Sequence, residues 1–187
     1  MREKINAGEL SKILKEHERW CDTGGDEGEK ADLEGADLSG ANLSCAILYR
    51  ANLIEANLSG ADLSAAILGE AILEAADLSE ADLRGANLRD AFLPDAYLPE
   101  AYLRKADLSN AALYRADLGG ANLREADLHD ANLSFANLSF ANLTQVKNLS
   151  INELSKVKTL YEAKLDPELM EQVEDKYPHL LEEPWNK

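Results

Sequence analysis

Residues 31–145 repeat with a strict period of five. Ala occupies every fifth position from Ala31 to Ala141, and Leu occupies every fifth position from Leu33 to Leu143, so both rules hold in all 23 units. The residue between them is Asp in eight units and Asn in eight others. The segment is therefore one uninterrupted array with the pattern A(D/N)LXX.

A period of five fits neither standard element. In an α-helix, a step of five residues turns the side chain by about 140°, so successive Leu side chains would spread around the whole helix. In a strand, side chains alternate between faces, so this odd spacing would place Leu33 and Leu38 on opposite sides. The remaining arrangement is a chain that turns once per unit, with Leu and Ala pointing to a common axis and backbone hydrogen bonds between coils. The period therefore predicts a solenoid.

The A(D/N)LXX pattern resembles that of the pentapeptide-repeat family, and the resemblance covers all of residues 31–145. It implies an all-β solenoid, namely a right-handed quadrilateral β-helix with four units per coil. With 23 units the array then makes just under six coils. At a strand spacing of about 4.8 Å per coil, the rod is roughly 28 Å long.

A solenoid exposes its core and its backbone at each end, so both flanks are expected to supply helical caps. In the N-terminal flank, residues 1–30, apolar residues at helical spacing predict a helix over about 8–22, followed by a Gly pair as its stop signal. His17 and Cys21 lie four residues apart on this helix, but no third ligand is evident. We expect a packed face there and no metal site.

The C-terminal flank, residues 146–187, begins where the array breaks after Gln145. Ser150 followed by Glu153 matches a capping box and predicts a short helix near 151–156. Residues 157–165 are expected to return as an extended edge segment. Asp166 as the N-cap and Pro167 at the first helical position then predict a longer helix, which Pro178 ends or kinks.

Four apolar residues form a candidate C-terminal packing or dimer surface: Phe135, Phe140, Leu169 and Val173. The two Phe residues are the only aromatic residues at the last position of a unit, and that position points outward. We expect the C-terminal segment to fold back over them. The alternative is a homodimer through the C-terminal helix, as in several members of the family that the chain resembles.

Assigning successive units to four faces in rotation distributes the charge of the array unevenly. The faces that begin with the units at 31, 36, 41 and 46 carry net charges of −4, −5, +1 and −3. The second face holds no basic residue within the array. The third face holds three Arg residues at intervals of 20, which we interpret as relieved by neighbouring acids or, alternatively, as an anion-binding stripe. The charged residues of the candidate interaction surface are Asp37, Asp77, Asp117, Arg84, Arg104 and Arg124.

Three consecutive units carry an aromatic residue where Asp or Asn is usual: Phe92, Tyr97 and Tyr102. We interpret each ring as covering the neighbouring residues that stack with it on the same face. The alternative is that the three rings together form a contact surface around one coil. Pro94 and Pro99 follow the Leu in two of these units. Proline donates no backbone hydrogen bond. We therefore expect either that the ladder of backbone hydrogen bonds between coils is weaker here, or that the N–H groups that proline lacks would have faced solvent.

Composition and motifs argue against several functional classes. A net charge of −16 argues against binding nucleic acid or an anionic membrane. No phosphate loop, metal-ligand spacing or nucleophile constellation is present, so we expect no enzyme and no cofactor. Cys21 and Cys45 cannot form a disulfide framework, and the sequence leaves open whether they have a redox role. No apolar run is long enough for a membrane span or a signal sequence, so we expect a cytoplasmic protein.

The leading hypothesis is a non-catalytic module that binds an unidentified protein, with a basic surface if that partner is charged. The alternative rests on the resemblance, because some pentapeptide-repeat proteins imitate a DNA duplex, bind type II topoisomerases such as gyrase and protect against quinolone-type drugs. The array has a charge of −11 over roughly 28 Å, against about 16 charges for the same length of duplex.

Overall fold

The structure is a computed structural model that describes residues 4–184. The outermost residues of both predicted flanking regions, 1–3 and 185–187, lie outside the described residues. The second residue of each unit forms a parallel β-bridge with the residue 20 positions later, from Asp32 with Asn52 to Asp127 with Lys147. Four units therefore complete one coil, and the array is a four-sided β-helix.

Neighbouring coils are joined by a regular set of backbone hydrogen bonds. On the face that begins at residue 36, Asn57 N–H donates to Ala36 O at 2.9 Å, and Leu38 N–H donates to Asn57 O at 2.8 Å. The fifth residue also donates to the next coil, from Gly40 N–H to Ser59 O at 2.9 Å. The fourth N–H of a unit instead donates to the Asp or Asn side chain two residues earlier. Each coil thus satisfies the polar backbone of its neighbours.

The fifth residue of every unit makes the corner. All 23 of these residues have positive φ, and only five of them are Gly; Ala65, for example, has φ 54°. The left-handed conformation costs a non-Gly residue about 1–2 kcal/mol. The repeated corner turns the chain so that all Leu side chains point to the axis, where each is at most 2% exposed. The inward direction predicted from the period is therefore confirmed.

The structure explains why proline is accepted at positions 94 and 99. The ladder is not weakened there, because Pro94 O accepts from Ala75 N–H at 3.0 Å and Pro99 O accepts from Glu80 N–H at the same distance. The fourth N–H of a unit normally bonds to an Asp or Asn side chain. The side chains of Phe92 and Tyr97 offer no such acceptor. Proline at the fourth position of these two units therefore removes an N–H group that would have had no side-chain acceptor.

Helix α1 spans Ala7–Asp22 at the N-terminal end of the rod. Asn6 caps it, since its Oδ1 accepts from the N–H groups of Gly8 and Glu9 at 3.1 and 2.9 Å. Leu10 and His17 are buried, and they attach the helix to the core. The segment before α1 also joins the rod, because Lys4 forms a parallel bridge with Asp37 below the first coil.

His17 connects α1 to the first residue of the array. Its side chain is fully buried, and its Nδ1 accepts the N–H of Ala31 at 3.0 Å. The Trp20 ring stacks on it with centroids 5.7 Å apart. Burial lowers the pKa of His17, a backbone hydrogen bond with Tyr49 raises it, and the charge of Lys30 lowers it; the net direction is downward. The structure therefore holds His17 as a neutral acceptor.

The C-terminal region continues the coil before it ends in helices. Lys147 still pairs with Asp127, and after α2, Ile151–Leu154, residues 157–165 return so that Thr159 pairs with Asn137 and Lys164 with Asn142. These pairings confirm the predicted return as an edge segment.

Helix α3, Pro167–Lys176, follows this segment, and a short 3₁₀ helix, Pro178–Leu181, follows α3. The predicted capping box of α2 is confirmed. Asp166, however, makes no side-chain hydrogen bond to the start of α3. Its carboxylate instead accepts from Gln145 N–H, at 3.1 Å and 3.0 Å to its two oxygens, and so continues the ladder at the last corner of the array.

One lysine placed at two adjacent positions tests the inward and outward assignment. Ala66 is completely buried, whereas its neighbour Ala65 is an exposed corner residue. Ala66→Lys buries an unpaired charge and is expected to cost about 4 kcal/mol or more of unfolding free energy. Ala65→Lys is expected to change it by less than about 0.5 kcal/mol. Thermal unfolding measures both, and equal melting temperatures would contradict the assignment.

Proline scanning tests the proposed role of the fourth N–H. Glu74 lies two residues after Ile72, whose side chain offers no hydrogen-bond acceptor for the Glu74 N–H. Glu74→Pro is therefore expected to be neutral or to stabilise by up to about 1 kcal/mol. Ser79 N–H donates to Asp77 Oδ1 at 3.0 Å. Ser79→Pro removes this bond and the bond from the Ser79 hydroxyl to the same oxygen, and is expected to destabilise by about 1–2 kcal/mol. Denaturant titration measures the difference, and a larger loss for Glu74→Pro would overturn the explanation.

The buried acceptor makes stability depend on pH. Because the pKa of His17 is lower when folded, the unfolded chain binds more protons just below pH 6.5, so this contribution to stability is complete above pH 6.5 and is lost as pH falls below it. We expect the melting temperature to fall between pH 7.5 and 5.5. His17→Asn keeps an acceptor that does not titrate and should flatten this fall. An unchanged pH profile in His17→Asn would rule out the role of His17.

Candidate protein-docking faces

The bridges assign each unit to one of four faces. The first, second, third and fourth faces consist of the units that begin at residues 31, 36, 41 and 46 and of every fourth unit thereafter. Residues 20 apart therefore stack along one face. A surface feature of this rod is therefore a column of such residues along one face.

The three Arg residues of the third face all have partners on the rod. The Arg84 side chain donates to both oxygens of Asp82, with 2.8 Å from Nε to Oδ1. Arg104 donates to Glu125 Oε1 at 2.7 Å, and Arg124 donates to Gln145 Oε1 at 2.8 Å. Hydrogen bonds from Arg84 lower the pKa of Asp82, and hydrogen bonds from Arg104 lower that of Glu125.

These contacts agree with the interpretation that neighbouring acids relieve the arginine column. Glu125 lies between two of the Arg residues, and Lys105 Nζ also approaches its carboxylate at 3.6 Å. The third face is therefore nearly neutral and locally paired. It offers an approaching anion no cluster of unpaired guanidinium groups among the described residues.

The second face carries a column in which three Asp residues alternate with uncharged residues. Bridges stack Asp37, Asn57, Asp77, Tyr97, Asp117 and Asn137 in that order. Within the described array this face has no basic residue, although Lys4 lies beneath its lower end. The column thus presents uncompensated negative charge along most of the rod.

Hydrogen bonds fix the orientation of these carboxylates. Asp77 Oδ1 accepts from both the N–H and the Oγ–H of Ser79, at 3.0 and 2.7 Å. Asp117 Oδ1 accepts from Gly119 N–H at 3.0 Å and from the Asn137 amide at 2.8 Å. The side chain and the backbone N–H of Ser39 lower the pKa of Asp37. The local hydrogen bonds of Asp77 and Asp117 thus all use Oδ1.

Exposed aromatic rings concentrate on the first and second faces. Phe92, Tyr114 and Phe135 of the first face are 45%, 39% and 59% exposed, and Tyr97 and Phe140 of the second face are 48% and 54% exposed. Outside these two faces the array exposes Tyr102 of the third face, at 50%, and Ile67 of the fourth, at 41%.

The aromatic residues Phe92, Tyr97 and Tyr102 therefore lie on three different faces of one coil. Tyr114, which the repeat pattern did not single out, packs edge-on against Phe135 with centroids 5.6 Å apart. The signal that could have found it is the 21-residue separation, which places the fourth residue of one unit beside the fifth residue of the unit one coil later.

The expected folding of the C-terminal segment over Phe135 and Phe140 is wrong. Both rings remain more than half exposed, and Phe140 receives only an edge contact from Tyr161, with centroids 5.4 Å apart. Val173 is completely buried, and Leu169 is half-buried against the same core. The four residues of the candidate C-terminal surface therefore do not share one surface, because α3 turns its apolar side to its own rod.

Among residues 4–184, no group of three or more His, Cys, Asp or Glu side chains could hold a metal ion. Cys21 and Cys45 are free thiols. Cys21 Sγ lies 3.8 Å from His17 Nε2, and burial raises the pKa of this thiol. Within the same described range, the helices are too short or too polar to cross a membrane.

The comparisons with known proteins agree with this geometry. The profile of the family described as pentapeptide repeats matches eight copies, in segments that together span residues 31–147. No curated protein matches the chain in sequence.

Among solved structures, the chain is similar to HetL, a pentapeptide-repeat protein involved in the regulation of heterocyst differentiation in the cyanobacterium Nostoc. The identity is 38% and the TM-score 0.50, over 72% of this chain and 62% of HetL, so the match spans about three fifths of that relative.

Two further structures share the repeat with lower overlap. A pentapeptide-repeat protein of the Arabidopsis thaliana thylakoid lumen is 29% identical, with a TM-score of 0.40 over 67% of this chain and 72% of that chain. The fluoroquinolone resistance protein QnrB1 is 22% identical, with a TM-score of 0.33 over 78% and 92% of the two chains. Because the family profile covers more than half of the sequence and the coils close after four units, the chain belongs to the pentapeptide-repeat family, whose members form right-handed quadrilateral β-helices.

Proposed function

We propose that this chain is a non-catalytic rod that binds another protein through its first and second faces. The observation that carries the proposal is the coincidence of two properties on these faces. They hold five of the seven large hydrophobic side chains that the array exposes. They also hold net charges of −4 and −5, most of the −11 of the whole array.

This combination supports a partner with a basic surface and an apolar centre. Exposed aromatic rings supply contact area at protein interfaces and are common among the residues that dominate binding energy. Complementary charges accelerate encounter and exclude wrong partners. Tyr97 stands between Asp77 and Asp117 in one column, so an aromatic anchor is placed directly beside two carboxylates.

The proposal includes a capping role for the two flanks. Leu10 and His17 of α1 are buried at one end, and Leu154, Val173 and Leu180 are buried at the other. The four apolar side chains among these belong to the same cluster as the Leu and Ala residues of the array. Covering both ends of the core keeps the rod rigid, so its faces meet a partner without reorganisation.

The nearly neutral third face favours one-sided docking over imitation of a DNA duplex. A duplex carries negative charge on all sides, whereas here Arg104 and Arg124 lie along one side of the rod with their bonding partners Glu125 and Gln145. A supercoiling assay with gyrase separates the two functions. Docking on two faces predicts no inhibition at micromolar concentration, and inhibition that weakens with added salt would favour the duplex-like function instead.

Two matched aromatic substitutions test the docking faces. Tyr97 and Tyr102 occupy the same position in adjacent units and are 48% and 50% exposed, on the second and third faces. For the partner captured by the wild-type chain, Tyr97→Ala is expected to weaken binding about 30-fold, equivalent to about 2 kcal/mol, whereas Tyr102→Ala should change it less than about twofold. Calorimetry with the purified partner measures both.

The salt dependence provides a second readout. Asp77→Lys places a positive charge in the acidic column and is expected to slow association and to reduce its sensitivity to salt. Equal losses for Tyr97→Ala and Tyr102→Ala would show that the second face is not the docking surface. Failure of the chain to capture any partner above background would count against the whole proposal.

A further inference from the structure

A groove of about 710 Å³ lies between α1 and the lower edge of the first coil. Helix α1 contributes Leu10 and Leu14 to its wall, and the first coil contributes Ala41, Ala46 and Ile47. Its volume is within the range of sites that hold small ligands or short peptides. The groove lies at the N-terminal end of the rod, mainly beneath the third and fourth faces, with Ser39 and Gly40 of the second face at its border. It is three coils away from Tyr97, the aromatic residue central to the proposed docking surface.

The coil side of this groove is an open strand edge. Higher in the rod, the second residue of a unit uses both backbone groups to bind the coil beneath: Asp62 N–H donates to Ala41 O at 2.9 Å, and Asp62 O accepts from Leu43 N–H at 2.7 Å. The corresponding N–H and C=O groups of Asn42 and Ile47 have no backbone partner among residues 4–184. An edge of this kind is a template for an added strand.

The chain itself already uses the adjacent part of this edge. Ile5 N–H donates to Asp37 O at 3.3 Å, and Lys4 forms a parallel bridge with Asp37. Ile5 packs against the core at the same time. Two residues outside the array therefore replace the missing lower unit beneath the second face, and the same edge continues without such a replacement beneath the third and fourth faces.

We propose that an extended peptide segment of another protein binds in this groove as a parallel strand beneath Asn42 and Ile47. The ladder defines its register. The C=O of one peptide residue accepts from Asn42 N–H, and the N–H of the residue two further on donates to Asn42 O, as Ile5 does to Asp37. The next unit of the peptide, five residues later, repeats both bonds with Ile47. Backbone bonds of this kind supply affinity, and side-chain pockets supply specificity.

The residues that line the groove determine which peptide residues fit. In this register, the peptide residues that bond to the edge point their side chains inward, as Leu43 does. These side chains meet Leu10 and Leu14. The peptide therefore needs small or apolar residues, two positions apart, at these places. The residue between them points outward. Lys4, Lys15 and Glu18 line the groove and make it locally positive in a chain of net charge −16, so an acidic residue fits the outward positions.

A peptide with the sequence of residues 61–70, ADLSAAILGE, is a suitable probe, because in the rod it pairs beneath the equivalent edge two coils higher, at Asp82 and Asn87. Fluorescence anisotropy with the full chain is expected to show saturable binding. The matched control is the same peptide with N-methyl groups on the amides of its residues Leu63 and Leu68. It keeps every side chain but lacks the two donors to the edge, and we expect its affinity to fall at least tenfold.

Variants of the chain locate the site. Leu14→Glu places a carboxylate in the groove and is expected to weaken peptide binding at least tenfold, whereas Lys12→Glu, a substitution on α1 at a residue that does not line the groove, should leave it unchanged. Thermal unfolding of both variants verifies that α1 stays attached. Tyr97→Ala should also leave peptide binding unchanged, which separates this proposal from docking on the second face.

Three outcomes overturn the proposal. The first is equal binding of the methylated and unmethylated peptides, because the edge would then make no contribution. The second is unchanged affinity in a folded Leu14→Glu variant. The third is a dimer, detected by analytical ultracentrifugation, that Leu14→Glu dissociates, because a second copy of the chain would then be the occupant of the groove.

Discussion

The rod depends on the left-handed corner at the fifth residue of every unit. Eighteen of these corners are made by residues other than Gly, each at a cost of about 1–2 kcal/mol. One fully buried Leu per unit offsets this cost with about 2 kcal/mol of hydrophobic stabilisation, and the hydrogen bonds between coils hold the corners in place. A corner and its Leu are stable only together, because the corner turns the Leu to the axis and the packed axis restrains the corner.

Because core and backbone are satisfied internally, the outward residues are free to differ between faces. On the third face, charged side chains pair with one another, as Arg84 does with Asp82, so the face is nearly neutral. The first and second faces instead combine exposed rings with carboxylates that have few basic neighbours. The same scaffold thus has one nearly neutral side and two adjacent faces with negative charge and exposed aromatic rings. This asymmetry underlies the proposed one-sided binding.

The two ends differ in how completely the solenoid is closed. At the C-terminal end, residues 157–165 add to the ladder and Val173 is buried above the core. At the N-terminal end, α1 packs against the core through Leu10 and His17, but among the described residues only Lys4 and Ile5 extend the ladder. A helix can cover apolar side chains, but it cannot pair with a strand edge, because its own backbone groups bond within the helix. The groove is the consequence of this mismatch.

The period of five by itself predicted the coil and the inward Leu and Ala positions, because a repeat without insertions buries every Leu only if the chain turns once per unit. The charge of each face also depended on four units per coil, which the resemblance to the family implied and the bridges show. The residue patterns of the two flanks located α1 and the capping box of α2. The sequence could not decide that Phe135 and Phe140 stay exposed, that Val173 is buried, or that Asp166 bonds to Gln145. Contacts such as that of Tyr114 with Phe135 join different units across a corner, so they depend on side-chain directions that the spacing of like residues does not specify. The open edge beside α1 was likewise decided only in three dimensions, by where the helix lies against the first coil.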